Sequence, residues 1–517
     1  MDALPRIGAR ASCVWMAFCA LMGAGSAGWR PTQLLAASGR LELRVVDRDT
    51  GQPIHCRMHL RNEAGRPRRP RSRNIPFWHD HFVIPGKITL VLPAGKYTFE
   101  LERGPEYLRR SGYFIMNRFS DDRKEESMRR FVRMSDHSWY SGDLDVRRPL
   151  GEVPWLIQAE DLHVLQVIRW SGRKAGAVSG PVLRSVEPDR FYHVSGGRYD
   201  WEGGEVVLLN SKHPLDLSRA STDYPSVVRL AQARRQSGAW VDLTRPTWWD
   251  TPLLVAHGLV DSIQLAHRGL CRNQVLPAAV GERLRDRSRF FGPWGTAQWA
   301  QHIYFHLLNC GLRIPPSAGS GSGQSPNPAG YNRLYVHVEA PFTYEKWWEG
   351  LRAGRVTITN GPLLRPSVAG QLPGHVFRAR RGQTLELEVA LTLSTRDPIS
   401  YLEIIKDGEV EHSIRFRDYA KSGRLPPICF DRSGWFLIRA ATDLSATCRF
   451  AMTGPYYVEF DDQPRLSRES ARFFLDWVDQ RAERIQVADS RRRDEVIQYY
   501  HQARDFWAQL VQRANAE

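Results

Sequence analysis

Four stretches of the chain hold residue types and spacings that could do chemistry. In Gly142-Asp143-Leu144-Asp145-Val146-Arg147, Asp145 and Arg147 stand two apart, and in an extended chain such residues point to one face. A carboxylate there can ligate a cation, whereas a guanidinium stays protonated and has no lone pair to give. Glu160 and His163 are three apart, which on a helix puts both on one face at a spacing used in bundle metal sites. His267 follows the strand-like run Ser262 to Leu265, with His257 upstream of it. His302 and His306 are four apart on a helix-like stretch and could pair on a metal, although Tyr304, Phe305, Leu307 and Leu308 around them suit packing. Each histidine also has an ordinary structural reading as a hydrogen-bond partner. Nucleophilic serine and nucleotide chemistry lack their residues. Gly319-Ser320-Gly321-Ser322-Gly323 sets serine at the wrong place for a nucleophile elbow, and it carries no P-loop lysine.

The elements that must position these residues follow from length and patterning. A chain of 517 residues corresponds to about three domains of ordinary size, and 42% apolar with 25% charged residues excludes wholesale disorder. Lys plus Arg is 72 against 56 for Asp plus Glu, giving +16, with only 8 Lys among the basic residues. The arginines are interleaved with acids rather than drawn into a stripe, so no nucleic-acid partner is expected. Residues 1–27 read as a signal peptide: Arg6 and Arg10 precede the apolar run Cys13 to Met22, and small residues follow through Ala27. That run is too short to span a bilayer, which predicts a secreted or periplasmic chain with no membrane span once the leader is removed. The remaining Cys56, Cys271, Cys310, Cys429 and Cys448 are odd in number and lack C-x-x-C spacing, against a zinc site or an obligate disulfide framework.

Leu41, Leu43 and Val45 alternate with polar neighbours, and further short strands fill 39–134, a β-sandwich that resembles carboxypeptidase-regulatory or transthyretin-like domains. Over 135–365 apolar strand-like runs alternate with helical stretches, the pattern of an α/β domain. Strands return over 383–462, and 465–515 carries apolar residues at near-helical spacing, a helical tail. The 319–330 stretch is Gly-, Ser-, Pro- and Asn-rich and reads as a functional loop.

Several motifs in the middle region resemble the CehA/McbA-type metallohydrolases, relatives of the PHP superfamily, whose first strand reads Gly-Asp-Leu-His-x-His. They are Ser141-Gly142-Asp143-Leu144-Asp145-Val146-Arg147, Ala159-Glu160-Asp161-Leu162-His163, Trp248-Trp249-Asp250, Leu308-Asn309-Cys310-Gly311 through Ser320, and Thr359-Asn360-Gly361-Pro362. The resemblance implies a distorted PHP-like (β/α) barrel, with zinc or manganese at the strand ends activating water for hydrolysis of an ester, amide or phosphoester. It also implies roles: Asp145, His163 and His267 as ligands of a single metal, Glu160 as base, and Arg147 stabilising an anionic intermediate. Asn309, Ser317, Ser320 and Asn360 would orient a ligand or brace a loop. The departures are as telling. Asp145 and Arg147 stand where the family has histidines, and Ser320 to Gly323 offers no Asp or His where relatives usually have both. Two expectations follow: a metal-dependent hydrolase, or a non-catalytic binding protein whose Arg147 replaces the lost cation and grips an anionic or carbohydrate small molecule. Ten tryptophans between Trp155 and Trp348 would suit sugar or aromatic ligands as well as a core.

Overall fold

The computed structural model describes residues 38–72, 74–171, 181–210, 223–236 and 238–517, and the expected leader 1–27 lies outside them. Near the N-terminus, Ser38–Asp47 pairs antiparallel with Lys87–Pro93 and parallel with Asp121–Met128 in a three-stranded sheet. A five-stranded antiparallel sheet carries His55–Asn62 between His81–Pro85 and Gly95–Glu102. Because strand side chains alternate faces, Leu41, Leu43 and Val45 from the first sheet meet Met58, Leu60, Phe99 and Leu101 from the second in one core.

The expected closed (β/α) barrel is not what the middle of the chain builds. Strands make up 41% of the structure and helices 22%, and the strands form a long, open, mixed sheet. Trp139–Val146 lies inside it, parallel to Val164–Ser171 on one side and antiparallel to Arg333–His337 on the other. Outward from Val164–Ser171 run Arg190–Trp201, Gly204–Leu209, Trp240–Leu243, Ser262–Ala266 and Pro316–Ala318. A (β/α) barrel needs a helix after each parallel strand. Here Gly204–Leu209 is antiparallel to both its neighbours, so that repeat is broken. At the other end the sheet continues through Val356–Thr359 into Phe450–Thr453, Gly434–Thr442 and Ile399–Lys406, so C-terminal strands share hydrogen bonds with middle ones. The loop after Pro316–Ala318 crosses back over the end of Trp139–Val146, where the Gly321 N–H donates to the Asp145 carbonyl at 2.8 Å.

Two C-terminal helices, Arg468–Ala482 and Ser490–Arg513, start at the caps Ser467 and Asp489. Their buried Phe474, Trp477, Tyr500 and Trp507 join the core of the middle sheet. Asp250 anchors both helices, accepting from Arg481 Nε at 3.0 Å and Tyr500 Oη at 2.6 Å.

Candidate functional site: a buried polar centre beside a basic cleft

Asp143 and Asp145 are adjacent same-face positions of Trp139–Val146, and both are wholly buried. Asp143 is tied to the loops, accepting the N–H groups of Asp145 (3.0 Å), Ser320 (3.0 Å) and Gly330 (2.7 Å). Burial pushes its carboxyl up to about 6. Asp145 meets Arg198 of Arg190–Trp201: Nη2 lies 2.5 Å from both Oδ1 and Oδ2. Arg198 Nε is 3.6 Å from Glu205 Oε2, and Arg268 Nη2 reaches that oxygen at 3.0 Å. Burial opposes ionisation of Glu205, but the two guanidiniums outweigh it and hold its carboxyl below the usual range. Asp242 accepts from Ser262 Oγ and Ser317 Oγ at 2.5 Å and from Gln264 Nε2 at 2.6 Å, and burial pushes it up to about 7. The fixed cation at Asp145 is therefore the Arg198 guanidinium. Among the described residues its Nε and Nη1 are buried without a hydrogen-bond partner, as is Gln264 Oε1.

The residues expected to share one metal are not brought together. Arg147 is exposed beyond the strand end, its backbone N–H donating to the Ser322 carbonyl at 2.7 Å. His163 sits at the opposite end of the strand pair from Asp145. Val164 is in register with Gly142, and His163 Nδ1 contacts Ser141 N at 3.3 Å and Ser141 Oγ at 3.0 Å, four residues and roughly 13 Å along the strand from Asp145. Burial, with Arg190 nearby, pushes His163 down to about 3, a neutral core histidine. Glu160 is buried in an ion pair with Arg57 of the N-terminal sheet, which also bonds Glu102 at 2.5 Å. Burial raises the Glu160 carboxyl against the pull of Arg57, and its role there is to join two sheets. His267 does lie at the Asp145 end, its Nδ1 accepting from Gly269 N at 3.1 Å. Burial beside Arg245 and Arg268 holds it well below the usual imidazole range.

The polar residues of the matched motifs are braces. Ser317 holds Asp242, and Ser320 Oγ donates to the Asn332 carbonyl at 3.1 Å. Asn309 accepts from Trp435 Nε1 at 2.8 Å and donates to the Asp407 carbonyl at 3.1 Å. Asn360 donates to the Cys448 carbonyl and accepts from Phe450 N, both at 2.9 Å. Arg198 is the residue that sequence reasoning misses. Its signal is Gly196-Gly197 just before it: a Cβ on Gly197 would lie 1.6 Å from the Trp170 ring, so glycine at 197 leaves the room that ring occupies over the strand.

His267 also floors a cleft of about 560 Å³, lined among others by Thr247, Leu276, Arg283, Arg285, Arg287 and Trp299. Its wall is the stretch 267–293, which has no helix or named strand, and Arg245 pairs with Glu282 behind it. Groups of side chains that could hold a metal are found elsewhere, in the N-terminal sheet: His59, Asp80 and His81, and His59, Glu100 and Glu102. Arg57 Nε donates to His59 Nε2 at 3.2 Å, which leaves the His59 proton on Nδ1, the atom facing Asp80 Oδ1 at 3.2 Å. His59 can ligate through Nδ1 only if Arg57 gives up that bond.

No known family profile matches the chain, and no curated protein matches it. Among solved structures, the Bacillus anthracis TIE protein is similar over 22% of this chain at 18% identity, TM-score 0.14; the match spans 19% of that protein. Fibronectin(III)-like modules of Clostridium thermocellum CbhA are similar over 19% of this chain and 98% of theirs, at 15% identity and TM-score 0.14. The N-terminal four Ig domains of Dscam1 isoform 8.4 align with 81% of this chain and 96% of theirs, at 9% identity and TM-score 0.13. Likenesses this loose carry no argument about function.

Proposed function

We propose that the protein is a non-catalytic binding protein for a small anionic ligand held in the cleft at His267. The observation that carries this reading is the Asp145–Arg198 pair: the carboxylate best placed to hold a cation is already neutralised by a buried guanidinium. A zinc or manganese ion at Asp145 would face that permanent charge with no second ligand from His163. The ligand's charge follows from the cleft, whose lining carries Arg283, Arg285 and Arg287 against the single acid Glu282, itself paired with Arg245. Its volume falls within the roughly 300 to 1,000 Å³ of small-molecule sites. The leader-like segment 1–27 supports a secreted or periplasmic setting for this role. No helix among the described residues is long and apolar enough to cross a membrane.

The test is calorimetry of the purified protein against matched small molecules differing in charge: carboxylates, phosphate esters and uronic acids beside their neutral counterparts. Binding of the charged members, weakened in Arg283→Ala and in Arg285→Ala/Arg287→Ala, supports the reading. Turnover of ester, amide or phosphoester substrates that is lost in Asp145→Ala would overturn it, as would equal binding of neutral counterparts.

A further inference from the structure

His302 and His306 lie one turn apart on Trp294–Asn309, away from the polar centre. Both rings turn to the same point, with the two Nε2 atoms 3.0 Å apart. His306 Nδ1 is 2.8 Å from Ser470 Oγ at the start of Arg468–Ala482, and Phe473 stacks on its ring at 4.4 Å. A neutral imidazole keeps one ring-nitrogen lone pair for a cation. When the Ser470 hydroxyl accepts from Nδ1–H, His306 presents its Nε2 lone pair outward, the usual support for a ligating histidine.

A second, independent observation is the charge of the space they face. The rings line a cavity of about 200 Å³, whose other walls carry the carboxylates Asp407, Glu409, Glu469 and Glu517 against Arg289 and Arg465. Acids outnumber guanidiniums around the cavity, which favours a cation there. We propose that His302 and His306 form a two-histidine clip for a late first-row divalent cation, with zinc as the reference ion. Imidazole suits this class, and an i, i+4 pair on a helix is a spacing that presents two such nitrogens to one ion. Among the described residues no carboxylate oxygen lies within 4.8 Å of both Nε2 atoms, so water would fill the remaining positions and the acids would act through their charge. With Nε2 of His302 donating to Nε2 of His306 in the pair as it stands, binding an ion would need the His302 proton to move to Nδ1, so two neutral imidazoles would ligate with no net proton release.

The experiment is titration of the full chain with Zn²⁺ by calorimetry, and with Cu²⁺ by electron paramagnetic resonance, for wild type, His302→Gln, His306→Gln, Ser470→Ala and His81→Gln. Circular dichroism and melting establish that each variant is folded. The expected result is one equivalent of Zn²⁺, lost in both clip variants and retained in His81→Gln, with two-nitrogen hyperfine structure from Cu²⁺. Ser470→Ala weakens binding about tenfold, as loss of a supporting hydrogen bond does. Absence of Zn²⁺ binding, or binding that His302→Gln and His306→Gln leave unchanged, overturns the proposal.

Discussion

Arg198 Nη2 stands 2.5 Å from each carboxylate oxygen of Asp145, with the two side chains almost wholly shielded from water. The pair links neighbouring parts of one sheet, since Trp139–Val146 and Arg190–Trp201 both border Val164–Ser171. Removing one partner leaves the other charged and buried, which costs about 3 to 5 kcal/mol, whereas replacing both with apolar groups is often neutral. Arg198→Met is therefore expected to lower the unfolding free energy by about 3 to 5 kcal/mol in urea titration. Asp145→Leu/Arg198→Met should recover most of that loss. A single variant as stable as wild type would show that the pair is not closed in solution.

Arg147 gives the contrasting outcome. Its side chain is exposed, and its backbone N–H makes a hydrogen bond that any residue but proline preserves. Arg147→Ala should change stability by no more than about 0.5 kcal/mol, the usual range for surface sites. Calorimetry should find its anion affinity equal to that of wild type. A tenfold loss would return Arg147 to the binding site.

Glu160 tests whether an apparent base is a fastener. Glu160→Gln keeps the shape but removes one of the two carboxylates that neutralise Arg57, with Glu102 remaining. The expected loss is about 1 to 3 kcal/mol, typical of a buried polar group deprived of its partner. The loss should shrink in an Arg57→Met background, because the two residues act through one contact.

Asp242 makes stability depend on pH. Its folded carboxyl is pushed up to about 7 by burial, above the roughly 3.9 of an unfolded chain. The folded state then holds one more proton than the unfolded state between about pH 4 and 7. Stability from this group is full below about pH 4, falls as pH rises to about 7, and is level above that; the total is on the order of 4 kcal/mol. Buried histidines such as His163 act in the opposite sense, so the informative quantity is the difference between wild type and Asp242→Asn. That difference should slope from pH 4 to 7. Asp143, pushed up to about 6, is retained in the variant and leaves a slope of the same sign that ends near pH 6. A difference independent of pH would show that Asp242 is ionised throughout.

Much of the local structure is legible in the chain. Leu41, Leu43 and Val45 become one face of a strand, and Ser262–Ala266 and Arg333–His337 form where short apolar runs predict them. The helices Tyr344–Arg352 and Arg468–Ala482 follow their 3.6-residue spacing, because an apolar face must find a partner whatever the topology. The open mixed sheet that stands where a barrel is expected is not legible in the chain. Arg190–Trp201 carries buried His193, Ser195 and Arg198, so polar residues on a strand covered on both faces conceal the alternation that would announce it.

The sequence by itself determined that Asp145 lies in a strand-like run with Arg147, a permanent positive charge, two residues on. Only the tertiary structure decided which charge meets Asp145. Arg147 is two residues away yet turned to water, because the strand ends at Val146, while Arg198, 53 residues on, lies one strand beyond Val164–Ser171, on a strand whose Gly197 leaves room for the Trp170 ring. Nearness along a chain fixes direction only while the backbone stays regular, and a desolvated carboxylate is neutralised by whichever guanidinium the sheet brings within reach.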